Sequence, residues 1–171
     1  MTSAKIDLLI ILQFILYHGL WAVIAYGVPR ARSKLIYWSA GVILVAQLIL
    51  IPIGISSLLT FFLNILILTV VGIGVDIIFT RYQWWRFPGE YKTIPMWLCL
   101  LWLSFALSLE YLVCFVHMSL YFWALLSAVG FPLAYFFAQK LRVIQVLRPW
   151  PVYLYQGLIW LFLLPALLFL F

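Results

Sequence analysis

The stretch LIYWSAGVILVAQLILIPIGISSLLTFFLNILILTVVGIGV, residues 35–75, contains no charged side chain. A bilayer core about 30 Å thick is crossed by about 20 helical residues. The stretch is therefore too long for one crossing and suits two, joined by a tight turn. Pro52-Ile53-Gly54-Ile55-Ser56 marks that turn, because proline and glycine interrupt the apolar run there. The uncharged stretch is bracketed by Lys34 and Asp76, and two membrane helices are expected, over 35–53 and 57–80.

Working outward, residues 6–28 form another apolar run. It is too long for the core of a signal peptide. Its stronger positive cluster, Arg30, Arg32 and Lys34, follows it, whereas a cleavable signal carries its charge in front. An uncleaved anchor with its N-terminus outside is expected. Downstream, Arg81 to Lys92 holds Trp84, Trp85 and Tyr91 around a Pro88-Gly89 turn, a composition suited to headgroup level. A fourth run covers 94–116, with Thr93 as N-cap and Pro95 in the first turn. After a break at His117-Met118 comes a fifth, 119–138, with kinks expected at Gly130 and Pro132. A sixth covers 151–171. The expected fold is all-α: a polytopic membrane bundle of six transmembrane helices in a single membrane-embedded domain, 1–171.

Composition agrees. The chain is 68% hydrophobic and 8% charged, with a mean hydropathy of +1.22, against about 25% charged residues in soluble domains. A soluble fold of this size leaves too much surface in water to hide such a composition. The net charge of +6 forms no continuous basic face, so no nucleic acid is expected as a partner. Nine of the ten basic residues lie in the segments after the first, third and fifth runs: Arg30, Arg32, Lys34; Arg81, Arg86, Lys92; Lys140, Arg142, Arg148. Basic loops stay in the cytoplasm, so both termini are expected outside. The two halves then have opposite orientation, as in an inverted repeat, but they share no sequence similarity. Cys99 and Cys114 fall on one helix, fifteen positions apart, too far to bridge.

Ionisable residues within spans are costly and so become functional candidates. Asp76 shares a stripe with Thr69, Gly72 and Thr80 that should face protein. It reads either as a proton site, cation ligand or headgroup contact, or as the partner of a cytoplasmic base such as Arg81 or Arg142. Residues near Tyr135 and Ala138 should lie at its depth, so a tyrosine hydroxyl is a further candidate partner. Glu110, Cys114 and His117 share another face, with too few ligands for a metal. Gln13, His18, Gln47 and Asn64 form either a polar layer with Glu110 or interhelical hydrogen bonds. Ser127, Gly130, Ala134 and Ala138 line up as a small-residue packing stripe, with a close helix approach expected at Gly130. No P-loop and no GxSxG element is present, and two histidines are too few for the His boxes of di-iron desaturases. No metal or cofactor is expected.

Several segments, in order, resemble the domain-of-unknown-function family numbered 2878, a bacterial group of small multi-helix membrane proteins. They are Gln13 and Trp21; Gly72-Ile73-Gly74-Val75-Asp76; Pro95-Met96-Trp97-Leu98, Leu101-Trp102 and Phe105-Ala106; and Gly130-Phe131-Pro132-Leu133-Ala134-Tyr135. The chain departs from the family at Ala138-Gln139-Lys140, where more glycine is usual. The resemblance implies a multi-pass protein of the bacterial inner membrane, without an established activity, and a lean toward lipid metabolism. A carrier or a scaffold subunit is one expectation, with membrane lipids, a lipid-modifying enzyme or further copies of itself as partners. The alternative is a membrane enzyme acting on a lipid or isoprenoid, with Asp76 or Glu110 as acid–base group.

Overall fold

The computed structural model describes residues 3–51, 58–88, 94–116 and 118–170. The turn at 52–56, the Thr93 cap and His117 lie outside them. Six α-helices account for almost all of the described chain: α1 (Ser3–Gly27), α2 (Ser33–Ile49), α3 (Leu58–Arg81), α4 (Met96–Phe115), α5 (Leu120–Lys140) and α6 (Pro149–Leu170). Helix is what lipid demands, because each backbone polar group must be satisfied within its own segment. Five helices are long and apolar enough to cross a membrane, and the protein is a multi-pass membrane protein. Helix α2 is shorter. Its 17 residues rise about 26 Å, a little less than the hydrocarbon core.

The boundaries differ from expectation where loop chemistry decides them. Pro95 caps α4 from outside with extended backbone (ψ 148°) and does not open its first turn. Helix α5 starts after Ser119, whose hydroxyl accepts from the Phe122 N–H at 3.3 Å, and it runs two residues further than expected, to Lys140. The segments after α3 and α5 are not merely loops. Trp85–Arg86 (β1) and Gln145–Val146 (β2) pair antiparallel, with Trp85 opposite Val146.

Helices α1, α3 and α5 end on the same device. Ala31, Gln83 and Arg142 take left-handed backbone at φ 53°, 54° and 60°. Their N–H groups reach back to Val28 (3.2 Å), Thr80 (3.0 Å) and Gln139 (3.0 Å). The next N–H groups, of Arg32, Trp84 and Val143, reach Gly27, Phe79 and Ala138 at 3.0, 3.0 and 2.8 Å. This pair of bonds is the Schellman cap, which usually employs glycine.

The chain divides into two compact units, residues 1–74 with 95–117, and residues 75–94 with 118–171. In the first, α1, α2 and α4 pack on one another around Leu20, Ile24, Ile36, Ala40 and Ala106. Gly27 lets α1 approach α2 closely, since a Cβ there would sit 2.7 Å from Ile36. In the second, α5 and α6 form an antiparallel pair. Ser127 Oγ donates to the Trp160 carbonyl at 2.7 Å, and Phe131 stacks on the Trp160 ring at 4.0 Å. The β1–β2 ladder and the C-terminal end of α3 complete this unit around Phe79, Trp85, Val143, Ile144 and Val152.

Candidate functional site

Asp76 is wholly buried in the last two turns of α3. The Tyr135 hydroxyl of α5 donates to its Oδ1. Asp76 precedes the left-handed cap residue Gln83, and Tyr135 precedes Arg142, by the same number of residues, about two helical turns. The paired strands that follow hold the two helix ends side by side, which brings carboxylate and hydroxyl to one level.

Trp85 builds the floor of this site. Its ring, wholly buried, stacks on Tyr135 at 4.5 Å and 9° on one face and on Phe79 at 4.7 Å and 17° on the other. Its indole N–H donates to Thr80 Oγ1 at 3.1 Å, and Thr80 donates in turn to the Asp76 backbone carbonyl at 2.7 Å. Strand β1 fixes the tryptophan, and the Leu147 N–H, at 2.9 Å from the Trp84 carbonyl, extends the ladder by one bond. A carboxyl group held this way accepts the hydrogen bond of a tyrosine hydroxyl in a low-dielectric setting.

The first unit holds two other polar groupings. Asn64 Nδ2 of α3 donates to Glu110 Oε1 of α4 at 2.8 Å, and the Cys114 thiol stands 3.9 Å from the same oxygen. Separately, Gln13 Nε2 donates to the Gln47 carbonyl at 3.0 Å. Gln47 Nε2 donates to the Ser104 carbonyl and to Ser108 Oγ at 3.1 and 2.9 Å, and its Oε1 accepts from Ser104 Oγ at 2.8 Å. Ser108 Oγ donates back to the Gln13 carbonyl at 3.1 Å. Three helices, α1, α2 and α4, are thus laced together by amides and hydroxyls. His18 joins neither grouping. It is exposed, and its Nδ1 bonds the Phe14 carbonyl one turn back at 2.8 Å.

The small-residue stripe of α5 is divided. Ser127 and Ala138 are buried, but Gly130 is exposed and a Cβ there would meet nothing within 4 Å. The close approach of α5 and α6 is at Gly157 instead, where a Cβ would lie 3.0 Å from the Ala128 carbonyl oxygen. Along the Asp76 stripe, Thr69 is buried and Gly72 lies against the Trp102 indole, leaving no room for a Cβ.

Several residues of these sites escaped the sequence reading. Trp85 looked like part of an interfacial belt, and nothing in its neighbours signals that it turns inward. Gln156 of α6 is wholly buried, and among the described residues neither end of its amide has a hydrogen-bond partner. The Tyr153 hydroxyl donates to Gln139 Oε1 across α6 and α5. The spacing of Val152, Gln156, Trp160 and Leu164 in steps of four was the one available sign that this face of α6 is inward.

The second unit also carries an open groove of about 170 Å³ lined by Ile78, Phe79, Tyr82, Trp84, Tyr155 and Ile159. No polar surface lines it. Trp84 meets Phe79 edge-on at 4.9 Å and leans on Tyr155 at 5.0 Å.

Compared with known proteins, the chain matches the model of one family, described as "Protein of unknown function (DUF2878)", over residues 10–166. No curated protein and no solved structure gives a match.

Proposed function

We propose that this chain, which belongs to the DUF2878 family of proteins of unknown function, is a small carrier or scaffold subunit of lipid metabolism in the bacterial inner membrane. Six spans with both termini outside complete the reading. The observation that carries it is a division of labour among side chains. The buried polar groups Gln13, Gln47, Ser104, Ser108, Asn64 and Glu110 bond to other helices. The open groove is lined by aliphatic and aromatic side chains. Hydrogen bonds within the bundle hold helices together, and an apolar concavity accepts hydrocarbon. Lipids are therefore the first partners. A lipid-modifying enzyme, or a second copy of the chain, suits the broad apolar faces of α2 and α5, where Trp38, Val42, Ile49, Leu125 and Val129 are exposed.

A second reading has its own observation, the Asp76–Tyr135 pair. A buried carboxylate facing a phenol suits proton transfer in an enzyme acting on a lipid or isoprenoid.

Lipid and metabolite profiling of a deletion strain decides between them. A carrier or scaffold predicts altered membrane lipid composition that wild type and Asp76→Asn both restore. An enzyme predicts one accumulating precursor that wild type clears and Asp76→Asn does not, because an amide cannot titrate. An unchanged lipid profile overturns both.

A further inference from the structure

The structure assigns the groove between α3 and α6 to one acyl chain of an anionic phospholipid, with the headgroup phosphate held between Arg81 and Arg148. The inference rests on the lipid reading above and adds the lipid's charge and its seat.

The groove supplies the apolar half of such a site. Ile78 lies on the last turn of α3 and Tyr82 just beyond its end, Tyr155 and Ile159 are one turn apart on α6, and Phe79 and Trp84 complete the lining. The space suits a segment of hydrocarbon chain. Its aromatic floor is held from below, because Phe79 is the outer ring of the Phe79–Trp85–Tyr135 stack.

Charge complementarity identifies the headgroup. Arg81 follows Ile78 by one turn and adjoins Tyr82 in the chain. Arg148 adjoins Leu147, whose N–H bonds the Trp84 carbonyl at 2.9 Å. Both arginines are exposed; Arg81 is the last residue of α3 and Arg148 immediately precedes α6. Arg86, Lys140 and Arg142 are also exposed in this unit. Among its described residues Asp76 is the one acid, and it is buried beneath Tyr135. Among the described residues of this unit the exposed charges are thus all positive. Bases near a membrane surface attract anionic lipid, and arginine pairs bidentately with phosphate oxygens. A zwitterionic headgroup brings its own ammonium into the same field and gains less.

The test uses the full chain reconstituted in phosphatidylcholine vesicles. A minor fraction of phosphatidylglycerol or phosphatidylcholine carries a photoreactive diazirine in one acyl chain, and labelled peptides are mapped by mass spectrometry. Phosphatidylglycerol should label Tyr82–Trp84 and Tyr155–Ile159 at least threefold more than phosphatidylcholine does. It should exceed the labelling of the exposed α5 face around Leu125 and Val129. The Arg81→Gln/Arg148→Gln double variant should bring the two lipids to parity at the groove. Ile159→Trp, which fills the groove, should lower labelling there by either lipid while leaving the α5 face unchanged. That unchanged face serves as the control for folding and insertion. Equal groove labelling by the two lipids in wild type, or a preference that survives the double arginine variant, overturns the proposal. The experiment reads binding, whereas the deletion-strain profile reads role, so either can fail without the other.

Discussion

Asp76 and Gln47 are both wholly buried polar residues, and their substitutions should behave differently because their surroundings differ. Asp76→Asn keeps an acceptor for the Tyr135 hydroxyl and should leave thermal stability in detergent close to wild type. Asp76→Leu removes that acceptor from a buried donor and should cost about 1–3 kcal/mol. Near-identical unfolding midpoints for the Asn and Leu variants would show that the hydroxyl contact contributes nothing. A similar contrast separates two glutamines. Gln47 joins α2 to α4 through three side-chain bonds, so Gln47→Leu should destabilise by about 1–3 kcal/mol. Gln156 makes no side-chain bond to the described protein, so Gln156→Leu should be neutral or stabilising. A marked fall in the unfolding midpoint for Gln156→Leu would reveal a partner for that amide. Asp76 stood out in the sequence because a carboxylate inside an apolar run is rare. Gln156 did not, because an uncharged amide in a span is common.

At the scale of the element, the three left-handed caps carry a measurable cost. Gln83 sits in a conformation that disfavours an L side chain by about 1–2 kcal/mol. Gln83→Gly relieves this but frees the unfolded chain, so a net gain below about 1 kcal/mol is expected. A loss of stability would mean that the Gln83 side chain, which accepts a 3.3 Å bond from Arg86, matters more than its backbone. The helix contact gives a sharper contrast. Gly157→Leu should overpack against the Ala128 carbonyl and cost about 1–3 kcal/mol, whereas Gly130→Ala points into open space and should be nearly silent. If the two substitutions shift the unfolding midpoint equally, the α5–α6 approach is not where the backbone places it. A small residue at helical spacing declares that a close approach is possible. Only the partner helix determines which small residue is used.

At the scale of the molecule, the charge bias makes a prediction about topology. Reporter fusions after Arg32, Lys92 and Arg142 should read cytoplasmic, and fusions at Ile55 and His117 exterior, on the strength of the nine-to-one bias in basic residues. A cytoplasmic signal at Ile55 would remove the second span. That is the informative position, because α2 has only 17 residues and the other five helices are longer. The same pair of capping bonds precedes each of the three basic segments, after α1, α3 and α5.

The sequence by itself determined the helical class, the multi-pass placement and the approximate run of each helix. These depend on local composition: a long apolar segment must bond its own backbone in lipid whatever its neighbours are. It also singled out Asp76 and placed Tyr135 at its depth, since charge and helical rise are one-dimensional quantities. The tertiary structure decided what depends on neighbours from distant parts of the chain. It paired Trp85 with Val146, turned Trp85 inward between Phe79 and Tyr135, and chose Gly157 over Gly130 as the point of contact. Two-residue strands have too short a period to be read from sequence, and lipid-facing and protein-facing surfaces are both apolar. In a membrane the hydrophobic pattern that separates inside from outside in water is largely erased, so only packing identifies the faces.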